Sequence, residues 1–306
     1  MNNKLAKIMI DSSTIYRNNM TVARILFLAR YRVPHALLTL QFDHFVQGID
    51  VTVIATPIPK QELWPIFERH NIDTSKFHYV NDSVILDRYP QIQNWMFEGD
   101  YRGPWLRQQA IKLSYLDYLD YDIMLMQDPD MIMVEPYCCW ENNKLKFLAL
   151  ENKTHGSYNG VMQSVLGIPQ QTPHCFVTEM VPVVKQDWIK LRETLEQRHN
   201  RHFLDAIIDH VPGMPTVPPW GTGNLIKWFS EYEFLGNWTL TQRAVDWQWQ
   251  RRFEYDSLDK MKNFTKDHNC FADAVPDLRL SLQMDWSTGK MQDLDYYIEL
   301  VNQCIS

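Results

Sequence analysis

The fold is decided by residues 121–136, which read YDIMLMQDPDMIMVEP. The apolar run at 123–126 has the length and composition of a buried strand, and two carboxylates, Asp128 and Asp130, follow it with one residue between them. In open α/β sheets, ligands bind at the carboxyl ends of the strands. The stretch therefore predicts a buried strand that brings two acids to the ligand-binding edge of a sheet.

The pair Asp128 and Asp130 is a candidate site for a hard divalent cation. Mg²⁺ and Mn²⁺ take oxygen ligands and commonly combine one or two carboxylates with the phosphate groups of a substrate. A short D-x-D also occurs in ordinary polar loops, where Asp and Pro are common turn residues. The spacing alone leaves both interpretations open.

The surrounding chain alternates between strand-like and helical runs, and this alternation predicts a parallel sheet covered by helices on both faces. Before the paired acids the predicted strands are 24–30, 50–56 and 76–80, and the predicted helices are 35–47, 61–71 and 103–121. After them we expect a strand at 146–150, a turn at 155–162 and helices at 185–197, 224–229, 244–262 and 293–304.

Four cations and one acid are candidate ligands for a nucleoside diphosphate. Arg30 and Arg32 flank the end of the first predicted strand, and Arg107 and Lys112 lie on the helix that leads to Asp128. A guanidinium group gives bidentate phosphate contacts and Lys a point charge. Asp82, after the third strand, could accept hydrogen bonds from a base or ribose. Solvated surface side chains and ordinary turn chemistry are the competing interpretations.

Two further acids, Glu231 and Glu233, stand next to Tyr, Trp and Asn residues in a segment whose composition suits a sugar or acceptor pocket. Helical spacing places residues two apart on different faces of a helix. We therefore expect at most one of the two to take part in chemistry.

Composition limits the remaining function classes. A formal charge of -7 and a pI near 5.8 give no overall basic field that would favour nucleic acid or an anionic membrane. The five cysteines lack C-x-x-C spacing and are expected to be reduced thiols, as in cytosolic proteins. Without a signal-peptide pattern or an apolar run of about 20 residues, the chain is expected to be cytoplasmic, with no membrane partner.

In their order and spacing, several of these segments resemble nucleotide-sugar-dependent glycosyltransferases of the GT-A fold. More narrowly, they are similar to an uncharacterised bacterial and phage glycosyltransferase-like family with a D-x-D motif. The matching segments lie within 22–240 and are 25–34, 105–113, 128–136, 158–162, 175–180 and 229–237. The chain departs from the family at Thr178-Glu179, where the family often has two imidazoles.

The resemblance implies an α/β, GT-A-like (Rossmann-like) catalytic domain at 1–240 and a helical C-terminal extension at 241–306. It also implies that the D-x-D acids hold Mn²⁺ or Mg²⁺ on the two phosphates of a nucleoside-diphosphate sugar, with a UDP-sugar as the expected donor. Asp130 would bind the metal directly, and Asp128 would bind it through water or contact the ribose. His268 would be a third metal ligand, and its competing interpretation is a surface imidazole beside acids.

The stereochemistry of transfer sets the roles expected for the two later acids. An inverting transfer needs a carboxylate that deprotonates the acceptor hydroxyl, for which Glu233 is the first candidate and Glu231 the second. In a retaining enzyme both acids would instead bind sugar hydroxyls.

The acceptor is expected to be a saccharide, a protein, or 5-hydroxymethylcytosine in phage DNA. DNA would require cationic contacts to phosphates and an extruded base. The one segment that could form such a basic, aromatic patch contains Arg243, Trp247, Trp249, Arg251, Arg252, Phe253, Lys260, Lys262 and Lys266. An amphipathic helix covering the sheet is the alternative there.

Two other functions remain compatible with the sequence. The fold could be a non-catalytic sugar- or nucleotide-binding module. A metal-dependent phosphoesterase is the other alternative, since paired acids at a strand end also suit that chemistry.

Overall fold

The computed structural model describes residues 20–29, 32–95, 103–133, 135–149, 156–211, 229–255 and 278–284. The strands in these ranges are β1 Val22–Phe27, β2 Val46–Gln47, β3 Val51–Thr56, β4 Phe77–Asn81, β5 Ile123–Gln127, β6 Met131–Met133, β7 Tyr137–Cys138, β8 Trp140–Glu141, β9 Lys144–Ala149, β10 Met180–Val184, β11 Asp246–Tyr255 and β12 Leu278–Met284. The helices are α1 Val33–Gln41, α2 Lys60–Arg69, α3 Asp82–Arg88, α4 Gly103–Tyr118, α5 Gly156–Leu166, α6 Lys185–His199, α7 Phe203–Ile208 and α8 Glu231–Gln242.

The central sheet has the strand order β10-β5-β1-β3-β4. Strands β5, β1, β3 and β4 pair in parallel, and β10 joins β5 in the antiparallel direction. This arrangement confirms the predicted α/β fold with a mostly parallel, Rossmann-like sheet.

Helices cover both faces of this sheet, as the alternation of side chains along β1 shows. Ile25 and Phe27 belong to one core cluster, which also contains residues of α4 and α6. Leu26, between them, belongs to a second cluster with residues of α1 and α2. Because successive side chains of a strand point to opposite faces, a strand covered on both faces places apolar side chains on both. This explains the apolar runs at residues 25–27 of β1 and 123–126 of β5.

The parallel registers align the carboxyl ends of the strands at one edge of the sheet. Leu26 of β1 lies opposite Gln127 of β5, and Phe27 lies opposite Ala55 of β3. The residues that follow each strand therefore meet at this edge, and Asp82 and Asp128 are among them.

A second sheet, ordered β6-β12-β11-β9-β8, corrects the helix predicted at 244–262. Residues 246–255 form β11, which pairs in parallel with β9 and β12. The sequence DWQWQRRFEY alternates aromatic and polar residues over most of its length, a strand pattern that its charged character obscured. The helix predicted at 293–304 lies outside the described residues, and the domain boundary after residue 240 stays a prediction.

The turn predicted at 155–162 is also wrong, because α5 begins at Gly156 and continues to Leu166. Val161 and Val165, four residues apart, are both buried, as are Met162 and Leu166. This helical spacing outweighs the turn-forming glycines at its start. In the described parts of the chain, no helix is long and apolar enough to cross a membrane.

Helix α8 packs closely against the segment that precedes β10. A side-chain carbon added at Gly236 would lie less than 3.0 Å from three ring atoms of Phe176, which is itself buried. Glycine at this position therefore allows the close approach of α8 to the aromatic ring.

We predict that Gly236→Ala lowers the free energy of unfolding by about 1–2 kcal/mol, because overpacking outweighs the better helix propensity of Ala. Urea denaturation of the four members of a double-mutant cycle with Phe176→Leu measures the effect. The smaller Leu side chain should make room for the added methyl group, so Gly236→Ala should be less harmful in the Phe176→Leu background. Equal losses in the two backgrounds would contradict the packing argument.

Candidate metal and nucleotide site

The turn Asp128-Pro129-Asp130 between β5 and β6 is held on both sides by hydrogen bonds. Gln127 Nε2 donates to the Met131 carbonyl at 3.0 Å, and Thr39 Oγ1 donates to the Pro129 carbonyl at 2.5 Å. Both aspartates are buried. The turn therefore presents its two carboxyl groups from a constrained backbone.

A third acid, Glu179, completes an acid cluster with Asp128 and Asp130. One carboxylate oxygen from each residue lies within 4.8 Å of the others. Glu179 immediately precedes β10, and the antiparallel pairing of Met180 with Gln127 brings it beside Asp128. Motif spacing could not identify Glu179, because its place depends on which strand becomes the neighbour of β5.

Two cations bind the aspartates of the acid cluster. Lys112 Nζ lies 2.6 Å from Asp128 Oδ1 and 2.5 Å from Glu231 Oε1, and it donates to the Tyr232 hydroxyl at 3.1 Å. Arg32 Nη1 lies 3.0 Å from Asp130 Oδ2. Arg32 and Lys112 therefore form ion pairs with the acids in the structure. A role for either residue in binding diphosphate stays a prediction.

Burial and these cations set the ionisation of the acids. Burial raises the pKa of Asp130 to about 6, although Arg32 opposes the shift. Burial also acts to raise the pKa of Asp128, but Lys112 and a hydrogen bond with Glu179 bring that pKa below its ordinary value. Burial raises the pKa of Glu231 against the effect of Lys112.

The donor set of the acid cluster fits a hard divalent cation. Its ligand atoms are all carboxylate oxygens, which Mg²⁺ and Mn²⁺ prefer. Asp130 Oδ1 is buried and has no hydrogen-bond partner among the described residues. When ionised, the three acids and Glu231 carry four negative charges, and Lys112 and Arg32 carry two positive charges. One divalent cation would balance the remaining two negative charges.

A cleft of about 270 Å³ lies at the same edge of the sheet, which we call the strand-end cleft. Its walls come from the ends of β1 and β3, from α3 and from the first turns of α4. Most of the lining is apolar, and its polar side chains are those of Asp82, Arg107 and Gln108. Its volume approaches the lower end of the range for small-molecule sites. The structure thus brings together two of the predicted nucleotide ligands, Asp82 and Arg107.

The strand-end cleft and the acid cluster are neighbours. Phe27 lines the cleft, and its ring centroid lies 5.7 Å from Lys112 Nζ, which in turn contacts Asp128. Within the cleft, the Asp82 carboxylate accepts a hydrogen bond from Tyr115 at 2.8 Å. Burial raises the pKa of Asp82 to about 6, against the opposing effects of Tyr115 and Arg107.

Glu231 and Glu233 lie in the first turn of α8 and contact different groups, as helical spacing predicts. Glu231 binds Lys112, whereas Glu233 Oε1 accepts a hydrogen bond from the Phe176 amide at 3.1 Å. Asn237 Nδ2 donates to Glu233 Oε2 at 3.2 Å. The side chains of Glu231 and Glu233 are both buried, and neither residue belongs to the acid cluster.

Tyr158 on α5 is a residue that the predicted turn left without a specific role. Burial raises its pKa, and the acids Glu231, Glu179 and Glu233 contribute to the shift.

Several predicted residues fall elsewhere. Arg30 and His268 lie outside the described residues. In the predicted DNA-binding patch, Arg243 pairs with Asp187 at 2.6 Å, and the Trp247 ring packs 5.6 Å from that of Phe176. Both side chains are thus engaged within the protein, and the other side chains of that patch lie outside the described set.

No protein-family model and no curated protein matches this chain. Among solved structures, it is similar to the galactosyltransferase LgtC, crystallised in complex with donor and acceptor sugar analogues. The match has a TM-score of 0.46 and 10% sequence identity, and it covers 92% of this chain and 95% of that one. A likeness at this level concerns the course of the chain and carries no information about its ligands.

We predict that Lys112→Met lowers the free energy of unfolding by about 3–5 kcal/mol, because Asp128 and Glu231 would stay buried without their shared cation. Urea denaturation at neutral pH measures the loss. Adding Glu231→Gln should recover part of it by removing one buried charge. Lys190→Met, at an exposed position on α6, is the control and should change little. Wild-type stability of Lys112→Met would contradict this account.

A second prediction concerns pH and Asp82, whose pKa of about 6 in the folded protein exceeds its ordinary value of 3.8. Folding then favours the protonated acid, so its contribution to stability is fully present below about pH 4 and is lost as the pH rises through about 6. Asp82→Asn should stabilise the protein by up to about 3 kcal/mol at pH 8 and have no such effect at pH 4.

Denaturation of wild type and Asp82→Asn across this pH range tests the sign. Asp87→Asn, which changes an exposed acid on the same helix, is the matched control. A gain that is the same at pH 4 and pH 8 would show that the charge of Asp82 is not its cause.

Proposed function

We propose that this protein is a metal-dependent glycosyltransferase that moves a sugar from a nucleoside-diphosphate donor to a hydroxyl acceptor. The observation that supports it best is the position of the Asp128-Pro129-Asp130 turn, at the carboxyl edge of the parallel sheet and beside the strand-end cleft. This edge is where open α/β sheets bind nucleotides. A UDP-sugar is the proposed donor.

Asp128 and Asp130 would hold Mn²⁺ or Mg²⁺. When bound, such an ion stabilises the negative charge that develops on a departing nucleoside diphosphate. The unpartnered Asp130 Oδ1 and the all-oxygen donor set support this assignment. Lys112 and Arg32 would keep the two carboxylates ionised and oriented toward the ion.

The strand-end cleft would bind the nucleoside part of the donor. Its apolar walls suit a base, and Asp82 could accept a hydrogen bond from the base or ribose. Arg107 in the same cleft would meet the diphosphate, since a guanidinium group binds phosphate oxygens in pairs. This division puts the nucleoside near β1, β3 and β4 and the reacting end of the donor near β5.

For an inverting transfer we propose Glu231, ahead of Glu233, as the base that deprotonates the acceptor. Both oxygens of Glu233 accept hydrogen bonds from neighbouring groups. Glu231 Oε2 is buried and has no hydrogen-bond partner among the described residues, and burial raises the pKa of this acid. In a retaining transfer, the same acids would instead hold sugar hydroxyls.

A saccharide is the proposed acceptor, in preference to hydroxymethylated DNA. The overall charge of -7 disfavours approach to a polyanion. The internal contacts of Arg243 and Trp247 also remove two members of the patch that was predicted for DNA.

A thermal-shift screen of nucleotide sugars, with and without Mn²⁺, tests the donor and metal together. We predict that UDP-sugars stabilise the protein only with Mn²⁺, by about 2.7 kcal/mol at a hundredfold excess over the dissociation constant. Asp130→Asn should abolish this effect because it removes a metal ligand. Asp120→Asn, at an exposed position, should retain it.

Other outcomes would identify other functions. Binding of nucleotide sugars without metal would favour a non-catalytic module, and phosphate release without an acceptor would favour a phosphoesterase. Mass spectrometry of an oligosaccharide panel and of hydroxymethylated DNA, after incubation with donor and Mn²⁺, would identify the acceptor directly. Transfer to DNA alone would overturn the saccharide proposal.

A further inference from the structure

Building on the proposed metal-dependent function, we infer that Glu179 supplies the third carboxylate ligand to the divalent ion held by Asp128 and Asp130. Glu179 is separated from this pair by about 50 residues of sequence, and no motif links them. Its assignment depends on three features of the described structure: its fixed position, an unpartnered oxygen in the acid cluster, and its backbone conformation.

The backbone of Glu179 is held directly against that of Asp128. The Asp128 amide donates to the Glu179 carbonyl at 2.9 Å, which continues the antiparallel pairing of β5 and β10. The Tyr232 hydroxyl donates to the same carbonyl at 3.4 Å. Glu179 is therefore positioned by the sheet rather than by a free loop.

The spacing of the carboxylate oxygens fits one shared ion. The three oxygens lie within 4.8 Å of one another. Oxygens bound to one ion at about 2.0–2.6 Å are at most about 4–5 Å apart. An ion between the three carboxylates would thus need little movement of any of them.

An unpartnered oxygen in the cluster points independently to a ligand. Asp130 is 2% exposed, and its Oδ2 contacts Arg32, whereas its Oδ1 has no hydrogen-bond partner among the described residues. Leaving a buried carboxylate oxygen without a partner is costly. A cation bound between Asp130 and Glu179 would give Asp130 Oδ1 a partner and remove this cost.

The backbone of Glu179 suggests that the carboxylate itself is needed at this position. Glu179 has a φ of 60°, in the left-handed region, whereas the other described non-glycine residues with positive φ are all Asn. Glycine and asparagine adopt this region readily, and glutamate does so at a cost. Glycine would adopt this backbone conformation at a lower cost than glutamate. We therefore attribute the glutamate at this position to the cation that its carboxylate would bind.

The test compares Glu179→Gly and Glu179→Gln with wild type, using Mn²⁺ together with UDP as the probe. Calorimetry or electron paramagnetic resonance of free Mn²⁺ measures binding, and thermal unfolding in EDTA measures stability. We expect both variants to raise the Mn²⁺ dissociation constant by about tenfold or more. Glu179→Gly should also unfold at a higher temperature than wild type in EDTA, because glycine relieves the left-handed backbone.

Asn71→Gly is the matched control, since Asn71 is an exposed residue with a φ of 58°. It should leave Mn²⁺ binding unchanged. Wild-type Mn²⁺ affinity in Glu179→Gln, with loss in Asp130→Asn, would overturn the role of Glu179 and leave the proposed metal-dependent function intact. Absence of Mn²⁺ binding by the wild-type protein would overturn both.

Discussion

Lys112 is buried between the carboxylates of Asp128 and Glu231, and the geometry of the candidate site depends on this contact. It joins three parts of the chain: α4, the turn after β5 and the start of α8. A buried charge needs close partners of opposite sign. A shift of any of these three parts would therefore expose a buried charge to water or separate it from its partner. The packing of α8 thus helps to position an acid that lies about a hundred residues earlier.

The topology of the central sheet divides the ligand-binding edge into two regions. Strands β1, β3 and β4 end at the strand-end cleft, whereas the acid cluster lies where β5 ends and its antiparallel neighbour β10 begins. Phe27 lies where the two regions meet. This arrangement would let a donor place its nucleoside and its phosphates in different surroundings, one largely apolar and the other strongly charged.

The parts of the fold that were predicted correctly are those with a strong local signal. The apolar run of β5 requires burial on both faces, and the spacing in α2 and α6 is helical over two or more turns. The errors arose where local signals conflicted. Glycines near the start of α5 suggested a turn, and the charged residues of β11 masked its alternation.

The sequence by itself determined the buried strand, the two acids that follow it and the alternation that leads to a parallel sheet. Only the tertiary structure decided that Glu179 joins those acids and that Lys112 binds them. It also decided that Glu231 and Glu233 have different partners. Periodicity reports which residues are buried within an element, whereas contacts between distant residues depend on strand order and helix packing, which local spacing does not encode.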